Sequence, residues 1–192
     1  MTSSVAESWT RIEAWLVDNA PSTYAKLAPP AERAAIATAE VDLGLTFPTA
    51  LTESLLRHDG TAYGVLLPPF WAMLSTPAIA EAWRTRTHIH GQEPSDAEPS
   101  DAEHEYGPWW HRQWIPFAAD GSGDYLVIDQ RPTRKSGRIG DADHEDGCRF
   151  DPHPMWASLP RLLEMTATAL ETGDLLDCYE RVVTDAELTW DF

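Results

Sequence analysis

Between Trp114 and Asp129 the chain runs apolar, turns, and runs apolar again. Trp114-Ile115-Pro116-Phe117-Ala118 is strand-like, and Tyr125-Leu126-Val127-Ile128-Asp129 reads as a buried strand. Asp120-Gly121-Ser122-Gly123-Asp124 lies between them, and its glycines adopt positive φ without steric cost, as a tight turn requires. The three segments together predict an antiparallel hairpin. Arg138 to Phe150 supplies a second strand pair around a charged turn.

Helical periodicity surrounds this region. Ser4-Val5-Ala6-Glu7 fits a capping box, and Val5, Trp9, Ile12 and Leu16 then recur at helical spacing. Pro21 lies beyond that helix. A second helix is expected to open at Pro29-Pro30, to carry Ile36, Ala39 and Leu43, and to end at Gly44. Pro48 opens a third, with Leu51, Ser54 and Leu55, that stops at Asp59-Gly60. Tyr63 to Leu67 reads as a strand, and Pro77 to Thr87 as a helix with Ile79 and Trp83 inward. Ser158 caps a last helix through Leu159, Leu162, Leu163, Thr166 and Leu170, ended by Gly173. The tail through Val182, Val183, Leu188 and Trp190 leaves its fold open, a short helix plus an extended end being one reading. The expected class is α+β: a small antiparallel sheet flanked by N-terminal and C-terminal helices, in a single domain over residues 1–192.

One segment departs from this pattern. Residues 94–103 spell Pro-Ser-Asp-Ala-Glu twice, within an acidic stretch at 91–107 that has no Lys or Arg. It has nothing to bury and is expected to be a solvated loop insertion. The whole chain is acidic, with 14 Lys and Arg against 31 Asp and Glu and a formal charge of -17. That balance excludes nucleic acid and anionic membrane as partners and favours a cationic one. Lys occurs only at Lys26 and Lys135, so GC-rich coding is an equally good source of the bias. No secretory leader is visible, and the apolar stretch Val65 to Leu74 is broken by Pro68 and Pro69, too short to span a bilayer. The cytoplasm is the expected location.

The search for chemistry is mostly negative. From Asp141 to Gly147 the acids suggest a calcium loop, but the glycine arrives one residue late and Pro152 stands where a bidentate Glu is needed. His144 and His153 beside acids form a weak metal candidate, and no metal or cofactor is expected. The Asp120–Asp124 glycines lack a P-loop Lys and are flanked by carboxylates that repel phosphate. Ser122 lacks the nucleophile-elbow spacing, and Cys148 and Cys178 have no His context. Paired carboxylates for glycoside hydrolysis remain open. Trp109, Trp110 and Trp114 cluster near Tyr106; the first two abut the polar loop and fit core or surface equally well.

Taken in order, several segments resemble the SUKH superfamily, which includes fungal regulators of cell-wall glucan synthesis and bacterial immunity proteins of polymorphic toxin systems. The early match is the helix containing Glu40, then Leu43-Gly44-Leu45, Phe47-Pro48, Leu51, Leu55-Leu56 and His58-Asp59-Gly60. The second is Trp114 to Ala118 with Pro116, then Asp120, Gly121, Gly123 and Asp124 of the turn, and Leu126 to Asp129. The third is Ser158-Leu159 before Arg161-Leu162-Leu163. The resemblance implies an α+β fold without catalytic apparatus, and gives Gly44, Pro48, Gly60, Trp114, Pro116, Asp120, Gly121, Gly123, Asp124 and Asp129 structural roles. It also implies binding to a protein, first of all an immunity protein that neutralises a basic, nuclease-type toxin. Glu93, Asp96, Glu98, Asp101, Glu103 and Glu105 are then the available acids, with Trp109 and Trp110 as anchors. A scaffold or regulator linked to cell-wall synthesis is the alternative, ahead of a small hydrolase or glycan binder.

Overall fold

A computed structural model describes residues 3–61, 65–90, 109–150 and 156–192. The helices come first: α1 (Val5–Asn19), α2 (Pro21–Tyr24), α3 (Arg33–Leu43) and α4 (Thr49–Arg57). Then follow β1 (Ala72–Met73), α5 (Thr76–His90), β2 (Trp114–Ala119), β3 (Tyr125–Asp129), β4 (Ile139–Asp143), β5 (Gly147–Arg149), α6 (Leu159–Thr172), β6 (Glu180–Thr184) and β7 (Glu187–Asp191). This is the α+β class expected.

Local chemistry sets the helix ends. Ser4 and Glu7 exchange backbone–side-chain bonds of 2.8 and 3.2 Å, the reciprocal capping box at the start of α1. Gly44 and Gly173 close α3 and α6 in the left-handed conformation. Trp9, Ile12 and Leu16 are buried against α4 and α6, and the Trp9 indole donates to the Ser54 hydroxyl at 3.0 Å.

The sheet is antiparallel throughout, in the order β1-β2-β3-β4-β5. A register shift between Pro116 and Ala118 places the proline, which lacks an N–H, at an irregularity of the ladder. One face sends Ile115, Phe117, Leu126, Ile128 and Ile139 into the core shared with the helices. The other carries Trp114, Val127, Ala142 and Cys148, packed with Trp110 and edged by Trp83, Tyr125 and Phe150.

Asp129 ends β3 fully buried. Arg131 donates to both of its oxygens, at 2.9 and 2.8 Å, and Arg138 adds a third charged bond at 3.2 Å. Burial alone would raise the Asp129 carboxyl, but the Arg131 and Arg138 bonds outweigh it and hold the group below its ordinary value. The guanidinium of Arg138 lies 3.9 Å from the Phe150 ring centre, and that of Arg131 5.6 Å from the Trp114 ring.

Two expectations need correction, and the tail acquires a definite fold. Pro29-Pro30 does not open a helix, because the segment is engaged in pairing. Ala28 N donates to Gly60 O, Ala31 N to Leu55 O, and Asp59 N to Pro29 O, so α3 starts only at Arg33. Pro21 instead opens the short α2. Tyr63 lies outside the described residues, and 65–67 form no strand: Leu67 makes one isolated bridge, to Trp71. The tail contains no helix but the β6–β7 hairpin, whose Leu188 and Trp190 reach the main core. Its turn places Asp185 and Ala186 at φ 53 and 63, a conformation usually marked by Asn or Gly. The expected acidic insertion at 91–107 lies outside the described residues.

Two outcomes follow from this packing. Asp129→Ala should cost about 3 kcal/mol in chemical denaturation, because it removes the buried carboxylate that the Arg131 and Arg138 guanidiniums share. The Asp129 contribution should be complete above the ordinary carboxylate range and fade as pH falls through the depressed folded value. Ala186→Gly should raise stability by about 0.5–1 kcal/mol by relieving the left-handed strain at the β6–β7 turn.

Candidate functional site

Because β3 pairs with both β2 and β4, the β2–β3 and β4–β5 turns emerge side by side at one end of the sheet. Both turns are built on aspartates. Asp120 Oδ1 accepts from the backbone N–H groups of Ser122, Gly123 and Asp124 at 2.9, 3.2 and 3.0 Å, and the Ser122 hydroxyl donates to its other oxygen. Asp143 Oδ1 accepts from Glu145 N and Asp146 N at 2.7 and 2.8 Å. Asp124 joins the turns: its Oδ1 accepts from His144 N at 2.8 Å and lies 2.6 Å from His144 Nδ1. The result is one acidic rim of Asp120, Asp124, Asp141, Asp143, Glu145 and Asp146.

Its electrostatics show the crowding. Burial, followed by the charges of Asp124 and Asp143, raises the Asp141 carboxyl to about 6. Burial also acts to raise Asp120 and Asp143, but the turn hydrogen bonds prevail and hold both below their ordinary values. The bond to Asp124 pushes His144 up. Arg149 pairs with Asp146 at 3.1 Å, and Arg86 reaches the Gly123 carbonyl while lying 5.2 Å from the Tyr125 ring centre. The opposite end of the sheet is basic, since the β3–β4 connection carries Arg131, Arg134, Lys135 and Arg138. The sheet is therefore polarised along its strands.

The expected acids Glu93, Asp96, Glu98, Asp101, Glu103 and Glu105 lie outside the described residues, as do Tyr106 and His153. The tryptophan pair divides. Trp109 is 39% exposed, whereas Trp110 is buried, donates to Thr87 Oγ1 at 3.1 Å and packs edge-on to Trp114 and Tyr125. Trp110 thus belongs to the second face of the sheet and leaves Trp109 as the surface member. Gly60, at φ 79, has Ser75 N 2.6 Å from where a Cβ would stand, so its motif position is a close approach of two backbones. The rim is not legible as a single surface in the sequence alone; its signal there is the pair of Asp-rich turns flanking one shared strand.

Asp124, Asp143 and His144 bring potential ligand atoms within 4.8 Å of one another. The hydrogen bonds just described already account for that closeness. Burial, and then the Asp141 charge, pushes the Cys148 thiol well above its usual value, which keeps it out of thiolate chemistry. Cys178 is exposed and also free. Among the described residues no helix is long and apolar enough to cross a membrane.

Comparison with known proteins adds three findings. The model of the SMI1 / KNR4 family (SUKH-1) matches residues 30–165. The chain is 28% identical over 146 residues to the "Cell wall biosynthesis/cell cycle regulator smi1" of Schizosaccharomyces pombe, covering 67% of this chain and 29% of that protein. It is 42% identical over 53 residues to a "KNR4/SMI1 homolog" of Eremothecium gossypii, covering 28% of this chain and 8% of that protein. The matched stretches thus span less than a third of either relative.

Carboxyl titration by NMR should place Asp141 near 6 and move it down in Asp143→Asn, which removes one neighbouring charge. The folded value is raised, so ionised Asp141 costs stability above about 6, and the cost is absent below the unfolded value. Asp141→Asn should therefore raise the melting temperature at pH 8 and leave it nearly unchanged at pH 3.5. An equal gain at both would sink this account of the rim.

Proposed function

The chain belongs to the SMI1 / KNR4 family (SUKH-1), and on that premise we propose that it is a non-catalytic module that binds a basic protein through the acidic rim. The observation that carries this reading is the rim itself: carboxylates from two turns and β4, held in fixed positions, with the sheet's cations gathered largely at its other end. Preorganised like charge is costly to a fold, and a cationic partner recovers that cost on association. The tied Ser122 hydroxyl and the raised, buried Cys148 thiol support binding over catalysis.

Within this reading, the partner class that best suits such a surface is a nuclease-type toxin domain. Such a domain must itself be basic to hold phosphate, and an acidic inhibitor would be steered to it and would cover its active site. This immunity role would be exercised in the cytoplasm. A second reading is favoured by the printed name of the fission-yeast relative: a regulatory module tied to cell-wall biosynthesis, using the same rim on a different basic partner. The two are separated by assay against any toxin domain that is found encoded beside the gene. Immunity requires a complex with that domain and loss of its nuclease activity; its intact activity at saturating protein rejects immunity and leaves the regulatory reading.

Charge reversal at Glu145 and Asp146, both well exposed, tests the rim without touching the turn hydrogen bonds of Asp120 or Asp143. The double variant Glu145→Lys, Asp146→Lys should associate with the basic partner about tenfold more slowly at low salt, a deficit that shrinks as salt screens it. Unchanged association at low salt would move the interface elsewhere.

A further inference from the structure

On a different part of the molecule, the paired segments that displaced the expected helix start leave an open groove of about 460 Å³. One wall is Pro29, Pro30 and Ala35; Glu32 and Asp59 supply its acids, and none of its lining residues is Lys, Arg or His. The volume lies within the roughly 300–1,000 Å³ typical of small-ligand sites. The groove is rigid. Its two backbone strips are joined by Ala28 N to Gly60 O, Asp59 N to Pro29 O and Ala31 N to Leu55 O, at 3.1, 3.0 and 2.9 Å.

The two carboxylates are only partly committed. Asp59 Oδ1 accepts from Thr76 N and Oγ1 at 2.6 and 2.7 Å, which fixes the side chain, while no donor among the described residues reaches its Oδ2. Glu32 stands at the N-cap position of α3 but does not cap it, and its carboxylate has no partner among the described residues. A fixed acid and an acid without a partner among the described residues thus line one groove together with two prolines and three alanines. That is the complement of a long basic side chain, whose methylenes would lie on Pro29, Pro30 and Ala35 while its head meets the acids.

We propose that this groove is a docking site for one arginine or lysine side chain of a protein partner. The proposal rests on the reading of the chain as a binder of basic proteins, and adds a second, pocketed point of attachment that shares no residue with the rim. The rim steers, because much of its charge is exposed and acts at a distance; the groove anchors, because it offers one side chain apolar contact and two acids together.

The probes are acetyl-Gly-Arg-Gly-amide and its Lys counterpart, with acetyl-Gly-Gln-Gly-amide as the neutral control, titrated into isotope-labelled protein. Saturable shifts of the Ala31, Glu32, Asp59 and Thr61 amides are expected with the basic peptides and not with the neutral one. Glu32→Gln alters an exposed side chain with no bond to the described residues and should weaken binding about three- to fivefold. Ala35→Arg plants a cation in the groove and should abolish it; its amide spectrum shows whether the fold is kept. Glu145→Lys, Asp146→Lys should bind the basic peptides as the parent does. This titration needs no partner, so its outcome stands whether or not the toxin assay fails. Equal shifts with the neutral peptide, shifts confined to the rim turns, or parent-like binding by Glu32→Gln and a folded Ala35→Arg would each overturn the proposal.

Discussion

The carboxylate of Asp129 is the constraint around which the sheet is arranged. A charge with no solvent contact is tolerated only with partners, and here two guanidiniums supply them. Those partners also fix the β3–β4 connection, since Arg131 and Arg138 bracket it and Asp129 N and O bond to Arg138 O and Gly137 N. The guanidinium planes then lie beside Trp114 and Phe150. Phe150 in turn occupies the space where a side chain at Gly140 would stand, 2.4 Å from that missing Cβ. Aromatic and cationic side chains thus layer the outer face of the sheet, with Trp83, Arg86 and Thr87 of α5 along its edge.

The same interaction sorts charge. Arg131 and Arg138 are held at the Asp129 end, while at the turn end Asp120, Asp124, Asp141 and Asp143 lie close together with His144, Arg149 and Arg86 as the neighbouring cationic groups. Hydrogen bonds within each turn keep the aspartates in place despite their repulsion, and burial, with the Asp124 and Asp143 charges added, raises the Asp141 carboxyl. A surface of this kind suits association, because it is rigid and a partner's cations relieve it. Family membership accords with that use without specifying the partner, since one fold carries many roles.

Elements whose signals are local were legible from sequence. The Ser4–Glu7 box, Gly44, Gly173 and the Asp120–Asp124 turn each specify a conformation by their own chemistry, and each is found as expected. Pro29-Pro30 misleads because helix-start chemistry competes there with pairing to residues 55–60, a partner that no local window contains. The C-terminal hairpin is hidden for a related reason: Asp185-Ala186 is a poor turn signal, and docking of Leu188 and Trp190 holds it in place. Of the candidate site, the acids at the hairpin turns were legible as residues but not as one surface, which exists only once β3 pairs on both sides. The division of Trp109 from Trp110 likewise depends on Thr87 and Tyr125, distant in sequence.

The two ends of the chain hold each other. Ser3 bonds to Glu164, Arg11 pairs with Glu171, Lys26 with Glu187, and Ser22 donates to Ala186. Each of these links closes a loop of about 160 residues or more, and the closure entropy of such loops favours their formation late in folding. On a ribosome, α1 emerges well before α6, the helix it packs against. Until then the apolar stripe of Trp9, Ile12 and Leu16 lacks one of its two covering helices. The chain therefore passes through a stage in which α1 is made but not fully enclosed, and chaperones have an apolar stripe to shield there.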